Sequence, residues 1–421
     1  MYQQTVLDSG LRVATSNMPH ARSASIGIFI ATGSRYEPEP LGGISHFIEH
    51  MLFKGTKRRP TSRQLSEAIE GVGGMLNGGT DKEITLYWCK VARPHCSLAL
   101  DVLSDMLINS SFNPAEIEKE RQVIIEEINM SKDSPSQEAA TLIDELLWPG
   151  HALGRDTAGS RESVTAITGD MMLDYMSGHY HPANTLVSIA GNIEHDEMVA
   201  DVKRILGKWD GRRPCADYLP YVEKPGKRVR IETRDNEQVN LCLGLPGLPL
   251  LHPRRFTLDL LNTILGEGMS GRLFTEIRDN LGLAYSINSY TDHFRDTGAM
   301  IISAGVETGN LRVAVRAILA ELTKLKTDRI PEHEITKARE LSKGRLLLRM
   351  EDSRSVAAWL GAQGVLTGRI LSVDEVVDII DAITADELQE MAGEILTGEN
   401  LHLAVVGPVS KDENLEELLK I

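Results

Sequence analysis

The chain has 421 residues, 42% of them hydrophobic and 25% charged, with a formal net charge of −15. That length exceeds a single typical domain, and the composition is that of a folded globular chain, not a disordered one. The acidic balance disfavours nucleic-acid phosphates and anionic lipid as partners, and no run of 18 apolar residues is present to span a membrane.

The N-terminal text MYQQTVLDSGLRVATS reads as a strand, a turn at Ser9-Gly10 and a returning strand. It lacks the basic and apolar regions of a signal peptide, so a cytoplasmic location is expected. The strand ASIGIFIATGS then leads to HFIEHML. Over residues 44–53, Ile44, Phe47, Ile48, Met51 and Leu52 follow the i, i+3, i+4, i+7, i+8 spacing of a buried helix face. His46, Glu49, His50 and Phe53 fall on the opposite face, given about 100° per residue. An exposed face ordinarily carries Lys, Glu and Gln. This one sets imidazoles one turn apart, where both reach one ion, with a carboxylate between them. Catalytic zinc takes three protein ligands and keeps the fourth position for water, so a third ligand is expected from another element.

LNGGTDKE and TLYWCKV follow, then a helix over 96–108. Next comes NPAEIEKERQVIIEEI. Asn113 can cap this helix, Pro114 suits its first position, and Glu116 sits where a capping-box glutamate belongs. Ile117, Val123, Ile124 and Ile128 supply apolar packing. Glu120 and Glu127, seven apart, share one face and could meet the histidines; the pattern alone does not separate Glu127 from Glu126 as a ligand. Further on, GHYHPAN offers the H-x-H pair His179 and His181, with His195 downstream, but the strand TLVSIAGNI follows the pair instead of preceding it. Cys89, Cys96, Cys215 and Cys242 contain no C-x-x-C pair and read as buried thiols of a reducing compartment.

The Gly-, Pro- and charge-rich stretch near the midpoint divides the chain into residues 1–212, a linker at 213–228, and residues 229–421. The second half repeats the first: VNLCLGLPG leads to the helix RFTLDLLNTIL, then TGAMIISAGV, a helix near 309–325, and RIPEHEITKARELSKGRL. Pro114, Glu116, Ile117, Lys119 and Arg121 align with Pro331, Glu334, Ile335, Lys337 and Arg339. A duplicated α/β unit of about 200 residues per half is a plausible domain size. The expected fold is α+β, with two homologous α/β-roll domains, each a mixed, mostly antiparallel sheet flanked by helices. In the second half Asp259 and Thr263 stand where His46 and His50 stand in the first, and Arg345 lies opposite Glu127, so that half cannot hold the same metal. GEGMSG at 266–271 fits a dinucleotide fingerprint but follows a helical run, not a strand.

GGISHFIEHMLFKGT, LNGGTDKEITLYW, EKERQVIIEEI and GMSGRLFTEIRDNLGLAYSI, in that order, resemble the pitrilysin-type zinc peptidases, the inverted zincins with H-x-x-E-H. Within that family the text looks most like bacterial relatives of the catalytic (beta) subunit of the mitochondrial processing peptidase. The resemblance implies one zinc ion per chain on His46, His50 and Glu127, the last placed by using ER-x-V-I as the anchor. It implies Glu49 as the base acting on the water at the zinc, and Glu120 as a supporting residue. It implies substrate binding by Asn77, Gly78 and Gly79 through strand addition, and by Arg278 and Tyr285 from the second half. The implied function is a zinc metalloendopeptidase hydrolysing peptides or extended protein segments in a chamber between two domains, working as a homodimer. The alternative is a catalytically silent binding or scaffold subunit of a processing-peptidase-like hetero-oligomer.

Overall fold

A computed structural model of the chain describes residues 2–211 and 218–421. Cys215 and the first part of the linker, 213–217, lie outside the described residues.

In the first half, six strands order as β1-β2-β6-β3-β5-β4. They are β1 (Tyr2–Val6), β2 (Arg12–Asn17), β3 (Ser23–Ile30), β4 (Met75–Thr80), β5 (Thr85–Ala92) and β6 (Thr185–Gly191). In the second half, β7 (Val229–Thr233), β8 (Gln238–Pro246), β9 (Ala284–His293), β10 (Gly298–Glu307) and β11 (His402–Gly407) order as β7-β11-β8-β10-β9. The sheets are one pattern written twice. In each, one parallel pair (β2 with β6, β7 with β11) adjoins antiparallel neighbours, and each ends on an edge strand, β4 or β9, paired to the strand that follows it in sequence. Among the described residues, only β1 lacks a counterpart. The mixed, mostly antiparallel sheets agree with the fold class read from the sequence.

The first half carries α1 (Ile44–Leu52), α2 (Ser62–Glu70), α3 (Cys96–Asn109), α4 (Pro114–Asp133), α5 (Pro135–Leu147), α6 (Arg161–Ala166), α7 (Gly169–His179) and α8 (His195–Leu206). The second carries α9 (Arg255–Gly266), α10 (Leu311–Thr327), α11 (Glu332–Arg349), α12 (Ser353–Leu366), α13 (Val373–Ala382) and α14 (Ala385–Ile395). Among the described residues, no helix is long and apolar enough to cross a membrane.

The sheets follow the division at the midpoint, but the compact units do not. One unit gathers the described residues of Met1–Ile128, Asp156–Leu219 and Leu347–Ser372; the other gathers Asn129–Arg155, Pro220–Leu346 and Val373–Ile421. Each half therefore lends a helix to the other's sheet. Val356, Ala357 and Leu360 of α12 bury against Phe29, Leu186 and Ala190 of the first sheet. Leu142, Ile143 and Leu146 of α5 bury against Cys242, Ile301 and Ala404 of the second. The reason is physical. One face of each sheet is covered by helices of its own half, and the other needs an apolar cover that sequence periodicity cannot assign to one sheet or the other.

Candidate metal centre

Helix α1 begins at Gly43, whose φ of +91° lies in the left-handed region, and where a Cβ would stand 2.4 Å from the carbonyl oxygen of Ala158. Glycine fits there on both counts. It leaves the helix without a capping side chain, and the buried carboxylate of Glu37 takes that place. Its oxygens accept from the Gly43 and Ser45 N–H groups at 2.7 and 2.8 Å. A negative group at this end also suits the helix dipole. Ile44, Phe47, Ile48, Met51 and Leu52 are fully buried, as their spacing predicts. Each contributes about 1.5–3 kcal/mol of burial and together they fix the helix rotation. His46, Glu49 and His50 are thereby turned outward and remain partly exposed.

Helix α4, which carries Glu120 and Glu127, starts as its sequence suggests, with Asn113 Oδ1 accepting from Ala115 N–H at 2.9 Å. The capping-box expectation for Glu116 does not hold: its carboxylate takes the Lys119 ammonium at 2.5 Å. Ile117, Ile124 and Ile128 are buried with Ile125, whereas Val123 is 42% exposed because it lies on the solvent side of the helix. Arg121 anchors the helix, donating to the carbonyls of Val164 and Ile167 and lying over the Phe47 ring.

These two helices bring their polar faces together. The Nε2 atoms of His46 and His50 stand 3.3 Å apart, and a Glu127 oxygen lies 3.8 and 3.5 Å from them. The ligand atoms of these three residues, all within 4.8 Å of one another, form the one such His/Cys/Asp/Glu group among the described residues. Glu126 is exposed and outside it. Glu120 is buried behind His50, 3.1 Å from its Nδ1, and its other oxygen accepts from Lys54 at 2.6 Å. A His50 tautomer that donates its Nδ1–H to Glu120 leaves the Nε2 lone pair for the site, an arrangement typical of metal-ligating histidines. Burial, reinforced by neighbouring His50, pulls the His46 pKa down to about 4, so its imidazole is neutral at physiological pH. The His46 Nδ1 is buried with no hydrogen-bond partner among the described residues. Two imidazoles and a carboxylate match the donor set of a hydrolytic zinc site.

Glu49 lies one turn from both histidines. Burial raises its carboxyl pKa, although the hydrogen bond from Thr80 Oγ1 at 2.7 Å acts in the opposite sense. Thr80 belongs to β4, on which Asn77, Gly78 and Gly79 also lie. A Cβ on Gly78 would come within 3.3 Å of Glu49 Cγ and 3.1 Å of the Phe53 ring. Arg278 and Tyr285 stand together in the second unit: the guanidinium, on a π-helical turn over Phe274–Asn280, lies between the Phe274 and Tyr285 rings.

Sequence reasoning passed over Glu37, Lys54 and Thr80. Lys54 sits four residues beyond His50 and Thr80 two beyond Gly78, so helix and strand periods could have flagged both. Glu37 carries no local signal. The histidines of the H-x-H segment do not converge. His195 is held between the hydroxyls of Thr5 and Thr15, and His179 stacks on Tyr175. GEGMSG indeed follows a helix, α9.

Residues 12–161 match the family model described as Insulinase (Peptidase family M16), and residues 166–342 match the Peptidase M16 inactive domain. A protein of Bacillus subtilis named "Uncharacterized zinc protease YmxG" is 35% identical over 97% of this chain and 98% of its own length. The chain belongs to peptidase family M16. A second relative of this M16 chain, an uncharacterized zinc protease of Streptomyces coelicolor, is 35% identical over 99% of this chain and 91% of its own. The fold is shared with the crystal structure of a protease from Helicobacter pylori, at a TM-score of 0.91, 22% identity, and coverage of 97% of this chain and 99% of that one. The M16 model described as inactive spans none of His46, His50 and Glu127; it falls mainly on the half that carries Asp259 and Thr263 instead.

Proposed function

We propose that this M16 chain is a zinc-dependent metalloendopeptidase cutting peptides or extended protein segments. The observation that carries the reading is the meeting of the His46 and His50 Nε2 atoms with the Glu127 carboxylate, Glu49 standing beside them. A zinc ion held by those three would lower the pKa of a water toward about 7 and polarise the scissile carbonyl.

The remaining work falls to the chain. Glu120 orients His50, and Lys54 balances the charge of Glu120. Glu49, its carboxyl raised by burial and aimed by Thr80, takes a proton from the attacking water and returns it to the leaving amine. The edge strand β4, at Asn77, Gly78 and Gly79, takes a substrate main chain by strand addition, the Gly78 N–H exchanging its bond to Asn77 Oδ1 for one to the substrate. Arg278 and Tyr285 are further substrate contacts, supplying a cation and a phenol.

Glu49→Gln tests the reading. Cleavage of a mixed peptide library, followed by mass spectrometry, should fall by about 10²–10⁴-fold. Bound zinc, measured by elemental analysis, should stay near one per chain. A zinc-loaded wild-type chain that cuts no peptide would favour a silent binding subunit.

A further inference from the structure

The residues of β4 alternate between two faces. Thr80 donates to Glu49 and a Cβ on Gly78 would meet it, so Leu76, Gly78 and Thr80 face α1. Met75, Asn77 and Gly79 face the other way, toward the side covered by α12. On that side Asn77 pairs with Trp88 and Gly79 with Leu86, and these β5 residues pair in turn with Gly27 and Phe29 of β3. A recess of about 200 Å³ opens there, between Gly27, Leu86 and Trp88 of the sheet and Arg354, Ala357 and Ala358 of α12; Gly78 also reaches it. Gly79 has nothing within 4 Å of where its Cβ would be, so no side chain at that position blocks the way from the strand edge.

The recess carries a specific charge. The exposed Arg354 guanidinium lies 4.0 Å over the Trp88 ring, and among the described residues no carboxylate lies within ion-pair distance of it. The nearest acid in sequence, Asp352, is taken: it accepts from Lys90 Nζ and from the Ser355 N–H. Arg354 also sits in the first turn of α12, at the positive end of its dipole. In a chain of net charge −15, this leaves a cation held over an aromatic ring beside an apolar wall, with no acid among the described residues neutralising it.

We infer that this recess is a specificity subsite for an acidic substrate side chain, Asp or Glu, read by Arg354 with Trp88 as its platform. The inference rests on the peptidase reading, in which a peptide adds to β4. Successive side chains of such a strand point to opposite faces. When one residue lies over Gly78 and Glu49, its neighbours lie on the recess side, and a carboxylate there meets the guanidinium. Because Arg354 belongs to the helix that the second half lends to the first unit, selectivity at the metal-bearing half would be written partly by the other half of the sequence.

The test is a glutamate scan of an uncharged ten-residue peptide that the zinc-loaded wild-type chain cuts at a single bond, with kcat/KM measured for each position against a glutamine control. Glutamate should raise kcat/KM about tenfold at positions of one parity near the cut, and little at the other parity. Arg354→Glu should abolish that ratio and transfer it to a lysine scan. Arg354→Gln should abolish it without the transfer. Because position 354 is exposed, both variants should keep the wild-type melting temperature. A flat scan, or a glutamate gain that survives Arg354→Glu, overturns the subsite and leaves the peptidase reading standing. A wild-type chain that cuts no peptide overturns both.

Discussion

Helices α1 and α9 hold the same place in the two repeats, each following the strand at the middle of its sheet, and they carry opposite chemistry. Both bury one apolar face: Ile44, Phe47, Ile48, Met51 and Leu52 in α1, and Leu258, Leu261 and Leu265 among others in α9. On the polar face, His46 and His50 meet Glu127, whereas Asp259 accepts from Thr291 Oγ1 at 2.6 Å and from His293 Nε2 at 2.9 Å. Thr263 turns its hydroxyl back to the Asp259 carbonyl, and Arg345 pairs with Glu267 at 2.8 Å. The apolar stripe decides where each helix sits. The other face is then free to carry a His/Glu cluster that could hold a metal ion in one repeat and a self-satisfied hydrogen-bond cluster in the other. The imidazoles follow the same split. Burial, with neighbouring His181, pulls the pKa of His179 in the first unit down to about 4. Burial also opposes the charged form of His293, but its bonds to Asp259 and to the Leu248 carbonyl outweigh that and raise it.

Removing a proposed ligand breaks this contrast most sharply. His50→Ala should take zinc content from near one per chain to near zero by elemental analysis. Thr263→Ala, its counterpart, should leave the content unchanged; equal loss in both would mean that the two helices do not differ as described.

The imidazoles give the next effect. His179 is almost wholly buried, and its Nδ1 has no partner among the described residues. Its depressed pKa means that the unfolded chain binds the extra proton first. Stability is therefore lost as pH falls from about 6.5 toward 4, by up to about 3 kcal/mol. His179→Phe should shrink the difference between denaturant midpoints at pH 7.5 and pH 5. His293 works in the other sense: its raised pKa contributes stability below about 6.5 that fades as pH climbs through the folded-state value. Histidine NMR of Asp259→Asn should show the His293 titration moving downward, and an unmoved titration would remove Asp259 as its cause.

Smaller changes sharpen the picture of the repeat that carries His46 and His50. Glu120→Gln should weaken zinc binding by about 10–100-fold in a chelator competition, since it loosens the His50 tautomer without removing a ligand. Glu37→Gln leaves one acceptor fewer at the start of α1 and should cost about 1–2 kcal/mol in denaturant unfolding. A smaller loss would assign the capping to the helix backbone alone.

The sequence determined the local script. The period of its apolar residues placed α1 and turned His46, Glu49 and His50 to the same side, and the repeated order of strands and helices told of two related halves. Those features depend on spacing along the chain, which the text carries directly. Tertiary structure decided what spacing cannot express. It set Glu127 and not Glu126 against the imidazoles, because the rotation of α4 is fixed by Ile117, Ile124 and Ile128 packing into the core and by Arg121 docking on distant carbonyls. It brought Glu37 to the start of α1, Lys54 to Glu120 and Thr80 to Glu49. It also sent α5 and α12 to each other's sheets, since an apolar helix face is complementary to any apolar sheet face, and only the path of the folded chain selects which one it covers.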